Sequence, residues 1–170
     1  MVIILMGVEG SGKTTVGQLL AQKLHWQFAD ADNFHPPGNI EKIHRGIPLG
    51  DSDRAPWLSA LRAAIDNCDA DKKNVVLACS ALKRKYRDEL SADSVHFVYL
   101  KGDYELILSR LRARRGHFAT DSILASQFAD LEEPQDAISV TVDKSPEAIV
   151  SEIIAKLKLA PLAYPDATNL

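Results

Sequence analysis

One stretch constrains the fold of this chain more than any other: Gly7-Val8-Glu9-Gly10-Ser11-Gly12-Lys13-Thr14. It matches the pattern G-x-x-x-x-G-K-S/T. The residues before it, Val2–Met6, form an apolar and β-branched run that predicts a buried strand. After it, apolar residues recur at the spacing of one helix face, namely Val16, Leu19, Leu20 and Leu24. A glycine turn between a strand and a helix is the context in which this pattern binds phosphate groups.

The chemistry of the stretch follows from its residue types. Glycines let the backbone curl tightly and turn its N–H groups inward, where they donate to phosphate oxygens. The helix that opens at Gly12 adds the positive end of its dipole. Lys13 is predicted to reach the β- and γ-phosphates, and the Thr14 hydroxyl to ligate Mg²⁺. A glycine turn without a ligand is the alternative, but the flanking strand and helix favour nucleotide binding.

The composition limits the classes of protein to which this chain can belong. With 170 residues, 46% of them hydrophobic and 25% charged, the chain suits one globular domain. A net charge of -3 argues against a nucleic-acid partner. The two cysteines are too few for a disulfide framework, and Cys79 ends an apolar run, which predicts a buried free thiol. We expect a soluble cytoplasmic protein without a membrane partner, since we find no secretion signal and no membrane-spanning run.

Strand and helix patterns alternate along the chain. Further strands are predicted at residues 26–30, 75–79, 95–100 and 137–142. Helices are predicted at about residues 39–45, 56–68, 83–90, 103–115 and 122–131, and from Ser145 onward. Pro56 is assigned to the first turn of its helix, where proline is favoured. Such alternation predicts β-α-β units, and hence an α/β fold with a parallel sheet and helices on both faces.

Acidic side chains follow the predicted second strand. Asp30 and Asp32 stand on alternate positions, so both side chains can leave the sheet edge in one direction. Ligands of parallel sheets bind at the carboxyl ends of the strands. One carboxylate would serve the Mg²⁺ shell, and the other would orient or deprotonate an attacking hydroxyl. A solvated turn is the alternative, although proximity to the phosphate loop favours a functional role.

Arginines supply the remaining candidates. Arg54 suits a substrate carboxylate, while Asp51 or Asp53 beside it can serve a helix start. Arg110 and Arg114 lie four residues apart, before a glycine, which predicts a mobile lid that brings positive charge to the transferred phosphoryl. A solvated basic face is the alternative. A functional role and a plain solvated face both stay open for four cations that lie close together: Lys83, Arg84, Lys85 and Arg87.

The segments after the phosphate loop resemble those of one particular family. Asp30-Ala31-Asp32-Asn33-Phe34-His35-Pro36 and Asp51-Ser52-Asp53-Arg54-Ala55-Pro56-Trp57-Leu58 are similar to segments of the gluconate kinase family. So are residues 39–42, 46–49, 79–83, 86–88, 116–118 and 126–128. Together with the phosphate loop, these segments cover nearly the whole domain up to about residue 134, in family order. The phosphate loop alone would indicate only that the chain binds a nucleotide, whereas the later segments indicate this family.

The resemblance implies a three-layer P-loop kinase fold similar to shikimate and adenylate kinases. The single domain would comprise a substrate-binding segment at about residues 33–67, a lid at about 114–124 and a frayed tail at about 161–170. The implied reaction is ATP-dependent phosphorylation of D-gluconate to 6-phospho-D-gluconate, with Mg²⁺. Family analogy also implies a homodimer.

The resemblance further implies residue roles. Lys13, Asp32 and Arg114 would be catalytic, and Thr14 and Asp30 would hold the metal. The implied substrate-binding residues are Asp32, His35, Arg54, Ser80 and Gln127. The implied nucleotide-binding residues are Gly7, Val8, Glu9, Gly10, Ser11, Gly12, Lys13, Thr14, Thr15, Arg110 and Arg114. Glu9 departs from the small residue usual in the family, and its carboxylate would repel phosphate unless it points outward.

Two other classes of protein are compatible with the phosphate loop. A different small-molecule or nucleoside monophosphate kinase would share the loop, sheet and lid, but would lack the His-Pro and Asp-Arg-x-Pro-Trp segments. A nucleotide-dependent switch would be expected to carry an N-K-x-D segment for base recognition, which this chain lacks. Asp32 and Arg54 favour a kinase, because both roles require a second substrate.

Overall fold

The computed structural model describes residues 1–45, 47–113 and 120–159. In these ranges the strands are β1 Val2–Met6, β2 Gln27–Asp30, β3 Val75–Ala78, β4 Val95–Lys101 and β5 Ile138–Thr141. The helices are α1 Lys13–Leu24, α2 Pro37–His44, α3 Asp51–Ala70, α4 Arg84–Leu90, α5 Tyr104–Ala113, α6 Thr120–Asp130 and α7 Pro146–Lys156. A short 3-10 helix, Ala31–Phe34, follows β2. None of the helices in the described ranges is long and apolar enough to cross a membrane.

The sheet has five strands in the order β2-β3-β1-β4-β5, and every paired neighbour is parallel. Successive side chains of β1 enter two different cores, because a strand alternates its faces. Ile3 and Leu5 pack in a core with residues of α1, α5 and α7. Ile4 and Met6 pack in a second core with residues of α3 and α4. The predicted three-layer α/β fold is therefore confirmed, with the phosphate loop leaving the buried central strand.

The start of α3 corrects one prediction. The helix begins at Asp51 instead of near Pro56, which therefore lies inside the helix and not in its first turn. Gly50 precedes the helix, and Asp53 Oδ2 accepts a hydrogen bond of 3.0 Å from its backbone N–H. This cap moves the helix start forward, because a carboxylate at the third helical position satisfies an otherwise unpaired donor. Asp53 thus serves the helix start, the role considered for it from the sequence.

The described ranges leave some predicted features untested. Most of the predicted lid at about 114–124, including Arg114, lies outside these ranges, and the predicted tail at about 161–170 lies wholly outside them.

The start of α7 agrees with its prediction: Ser145 Oγ accepts from the Ala148 N–H at 3.3 Å. Cys79 is a buried free thiol, as predicted.

Candidate active site

A cavity of about 770 Å³ opens where β1, β2 and β3 end. It is the place where the sequence predicted a ligand site, since loops at the carboxyl ends of parallel strands surround a common crevice. Its walls come from the phosphate loop, the 3-10 helix, α3, the loop after β3, and α6. The lining includes Glu9, Lys13, Thr14, Thr15, Asp30, Asp32, His35, Arg54, Ser80, Lys83, Tyr86 and Gln127.

The phosphate loop is shaped to expose backbone donors. Its glycines have positive φ angles: 146° at Gly7, 79° at Gly10 and 98° at Gly12. A Cβ added at Gly10 would lie 2.8 Å from Leu111 Cγ, so the loop can approach α5 only without a side chain there. Among the described residues, no side chain caps the N-terminus of α1. The buried Ser11 Oγ likewise has no hydrogen-bond partner among them. Unused donors at a helix N-terminus fit an anion such as a phosphate group.

Lys13 is folded back against the loop. Its Nζ donates to the carbonyls of Gly7 and Val8, at 3.0 and 2.9 Å. Burial lowers the pKa of Lys13, while the nearby carboxylates of Asp32, Glu9 and Asp30 act in the opposite direction. The amine therefore lies between the loop and the acidic edge of the cavity, where it can contact a phosphoryl group.

Asp30 connects the loop to the end of β2. Thr14 Oγ1 donates to Asp30 Oδ2 at 3.3 Å, and Asp30 Oδ1 accepts from the Asp32 N–H at 3.1 Å. A hydroxyl and a carboxylate side by side are oxygen ligands of the kind that Mg²⁺ prefers. Within the described residues no group of three or more His, Cys, Asp or Glu could hold a metal. Mg²⁺ bound mainly through phosphates and water needs only one or two protein oxygens, so Thr14 and Asp30 fit it.

Arg54 is held on the cavity wall by a hydrogen-bonded chain. Its Nη1 donates to the Tyr86 hydroxyl at 3.0 Å, and that hydroxyl donates to Asp51 Oδ1 at 2.5 Å. Lys85 Nζ lies 2.6 Å from Asp51 Oδ2. The hydrogen bonds from Lys85 and Tyr86 lower the pKa of Asp51 to about 2. Tyr86 also lines the cavity, which was not predicted from the sequence although residues 86–88 belonged to the family resemblance.

Two further predicted residues line the cavity and also contact the phosphate loop. The Ser80 carbonyl accepts from the Gly7 N–H at 3.3 Å. Gln127 Oε1 accepts from the Glu9 N–H at 2.6 Å, which attaches α6 to the loop. This bond fixes the Glu9 backbone, and Glu9 is among the residues that line the cavity. Its carboxylate is close enough to the Lys13 amine to act on the pKa of that amine, so the departure at Glu9 adds a negative charge near the predicted phosphate site.

Arg110 lies away from the cavity. Its guanidinium donates to the carbonyl of Val142, just after β5, and it does not line the cavity. The structure therefore does not bring Arg110 to the phosphate loop. Arg114, its predicted companion, is outside the described residues.

The four clustered cations near α4 do not form one solvated face. Lys83 lines the cavity, with its Nζ 3.3 Å from Asp130 Oδ1. Arg87 is buried and donates to the carbonyls of Ala81 and Leu82, at 3.1 and 2.9 Å. The Arg84 side chain is 81% exposed. The solvated-face alternative therefore holds for Arg84 and not for Arg87, and Lys83 stays a candidate because of its place in the cavity.

Comparisons with known proteins agree with this architecture. A family model described as shikimate kinase matches residues 9–158. The chain is 44% identical over 163 residues to the thermoresistant gluconokinase of Escherichia coli, an alignment that covers 92% of this chain and 93% of that protein. It is 45% identical over 174 residues to a probable gluconokinase of Xenopus tropicalis, covering 90% of this chain and 91% of the relative.

A solved structure adds the three-dimensional likeness. A gluconokinase from Sinorhizobium meliloti superposes with a TM-score of 0.81 at 41% identity, covering 92% of this chain and 90% of that one. The likeness extends over nearly all of both chains. This chain belongs to the gluconokinase family of shikimate kinase-like P-loop kinases.

Proposed function

We propose that this chain transfers the terminal phosphoryl group of ATP to the 6-hydroxyl of D-gluconate, giving 6-phospho-D-gluconate and ADP. One observation carries the proposal: a single cavity is lined by the phosphate loop, by Asp30 and Asp32 at the end of β2 and just after it, and by Arg54. Gluconate has a carboxylate at one end and the reacting hydroxyl at the other. A site for it needs a cation for the first and a proton acceptor for the second, and Arg54 and Asp32 meet these needs.

On the nucleotide side, backbone N–H groups of the loop and of the first turn of α1 would bind the phosphates, while those of Gly7 and Glu9 already donate to Ser80 and Gln127. The Lys13 amine would contact the transferred group. Thr14 and Asp30 would hold Mg²⁺, which when bound neutralises charge on the phosphates. The roles proposed for Arg110 and Arg114 at the nucleotide base and phosphates rest on family resemblance.

On the substrate side, Asp32 would orient the attacking hydroxyl and accept its proton. The planar guanidinium of Arg54 would pair with the carboxylate through two parallel hydrogen bonds. His35, Ser80 and Gln127 would contact the hydroxyl groups between the two ends. This division predicts that Arg54 contributes mainly to binding and Asp32 mainly to turnover.

An ADP-release assay with a panel of acceptors tests the proposal. The panel should contain several sugar acids, shikimate and nucleoside monophosphates, each at saturating ATP and Mg²⁺. We expect turnover with gluconate well above that with every other acceptor. Shikimate is the necessary competitor, because the matching family model is described as shikimate kinase. Preferred turnover of shikimate or of a nucleotide would replace the proposed substrate while retaining the kinase fold.

The family likeness also supports a homodimer located in the cytoplasm. Light scattering on the purified chain measures its mass in solution. A monomer at micromolar concentration would contradict the dimer without affecting the proposed reaction.

A further inference from the structure

The imidazole ring of His35 is fixed on the cavity wall. It stacks on the Trp57 ring, with the centroids 4.8 Å apart and the planes 12° from parallel. Trp57 is itself anchored, because it is buried and its Nε1 donates to the Ala31 carbonyl at 2.7 Å. The ring plane of His35 is therefore set by a neighbour that cannot easily move.

The hydrogen bonds of Asn39 determine which ring nitrogen of His35 carries the proton. Asn39 is 5% exposed, and its Nδ2 lies 2.7 Å from the Asp53 carbonyl oxygen and 3.3 Å from His35 Nδ1. A carbonyl oxygen only accepts, so the side-chain atom that faces it is the amino nitrogen. An amide amino group only donates, so His35 Nδ1 must accept and carries no proton. In the neutral ring the proton is then on Nε2.

The surroundings of His35 also favour its neutral form. Burial lowers its pKa, the Arg54 guanidinium acts in the same direction, and the Asp32 carboxylate acts in the opposite one. Protonation would put a second donor on Nδ1 against the Asn39 amino group, and that contact would be lost. A ring that is neutral and has an acceptor at Nδ1 has one N–H to offer a ligand, at Nε2.

We propose that Asn39 is a positioning residue that holds His35 in the Nε2–H form, so that the ring donates a hydrogen bond to a hydroxyl oxygen of the open-chain sugar acid. The identity of the ligand rests on the proposed function, whereas the state of the ring does not. The residue acts through His35, since it does not line the cavity itself. Asn39 and His35 together thereby favour a substrate with a hydroxyl oxygen that can accept a hydrogen bond from Nε2.

Nitrogen-15 NMR of histidine-labelled protein at pH 7 tests the state of the ring directly. His35→Gln identifies the signals of this residue among the 5 histidines. We expect a protonated Nε2 and an unprotonated Nδ1. In Asn39→Asp the carboxylate accepts where the amide donated, so the proton should move to Nδ1. Asn39→Ser provides the second variant if the aspartate does not fold, and it should give a mixture of the two forms. A proton on Nδ1 in the wild type, or an unchanged ring in both Asn39 variants, would overturn the proposal.

Kinetics with gluconate test the donor role through a matched pair. The glutamine of His35→Gln can place an N–H near the position of Nε2, whereas His35→Met packs on Trp57 without a donor. We expect the KM for gluconate to be about 2- to 10-fold higher in His35→Met than in His35→Gln, the range for one neutral hydrogen bond. The kcat and the KM for ATP should be alike in the two variants. Equal KM values for gluconate would exclude the hydrogen bond.

The two experiments separate this proposal from the proposed function. The NMR measurement needs no activity, so it reports on Asn39 and His35 whatever the substrate. A wild type that does not phosphorylate gluconate would overturn the proposed function and the identity of the ligand, while the assigned form of the ring would still be decided by the spectrum.

Discussion

The two walls of the cavity recognise their ligands in different ways. The nucleotide wall is one continuous stretch, residues 7–15, and it presents mainly backbone donors held in place by glycines. The substrate wall is assembled from side chains of the 3-10 helix, α2, α3 and α4. Its central contact, between Arg54 and Tyr86, joins residues 32 positions apart in the sequence. Backbone recognition depends on loop shape, whereas side-chain recognition depends on the identity of every contributor.

The difference teaches where substitutions should act. In the proposed complex the nucleotide wall contacts the groups that react, so loss of the Lys13 amine should affect turnover of any acceptor. The substrate wall, apart from Asp32, contacts parts of the acceptor far from the reacting hydroxyl, so its residues should affect binding of one acceptor. A contact that is equally strong in the ground and transition states changes KM without changing kcat.

Lys13→Ala should give the largest effect. We expect kcat to fall on the order of 10³-fold or more, because the amine is proposed to stabilise charge on the transferred phosphoryl. Steady-state kinetics at saturating ATP measures the loss, and circular dichroism checks the fold. Lys23→Ala, an exposed position on the same helix, is the control and should leave kcat unchanged. Wild-type turnover in Lys13→Ala would remove the central assignment of the nucleotide wall.

Asp32→Asn tests the point where the two walls meet. We expect kcat to fall about 10²-fold or more, the lower part of the range for general acid–base catalysis, because the amide cannot accept the hydroxyl proton. ATP affinity, measured by titration calorimetry, should not change. Asp88→Asn, where the side chain is 66% exposed, serves as the control. A loss confined to KM would instead place Asp32 among the binding residues.

Arg54→Ala should separate the substrate wall from the nucleotide wall. We expect the KM for gluconate to rise about 10- to 150-fold with little change in kcat, since a charge-assisted hydrogen bond to the carboxylate is lost. Initial rates over a gluconate series measure this, with Arg84→Ala as an exposed control. An unchanged KM, combined with a raised KM after removal of another arginine, would show that the carboxylate binds elsewhere.

Tyr86→Phe should reproduce the effect of Arg54→Ala on a smaller scale. The hydroxyl does not carry charge, but it accepts the hydrogen bond that holds the guanidinium. We expect the KM for gluconate to rise about 2- to 10-fold, while the KM for ATP stays constant. If Tyr86→Phe and Arg54→Ala raise KM additively in the double variant, the tyrosine does not act through the arginine.

Asp51→Asn should have the smallest effect: a loss of stability above pH 3.8 that disappears as the pH falls toward 2. The folded-state pKa of Asp51 is about 2, below the model-peptide value of 3.8, because of Lys85 and Tyr86. A depressed carboxyl pKa stabilises the fold above pH 3.8, and this contribution is lost as the pH falls toward 2. Urea midpoints between pH 5 and 2 should therefore decrease more in the wild type than in Asp51→Asn. Parallel curves would show that the ion pair does not contribute.

The two walls also differ in how far the sequence predicts them. The motif, its strand and its helix lie next to one another in the chain, so local patterns identified the loop and the β1 and α1 bounds. The contact of Arg54 with Tyr86 depends on packing between α3 and α4, and no pattern of spacing along the chain expresses it. The predicted start of α3 was wrong for a local reason: the cap formed by Asp53 outweighed the usual preference of Pro56 for a first turn.

Burial shifts the pKa values of two neighbouring cavity residues in opposite directions. It lowers the pKa of the Lys13 amine, and it raises the pKa of the Cys79 thiol to about 12. A thiol reacts with electrophiles as the thiolate, while an amine reacts as the neutral base. The cysteine that lines the cavity is therefore a poor site for alkylating probes, and resistance to such reagents says nothing about access to the site.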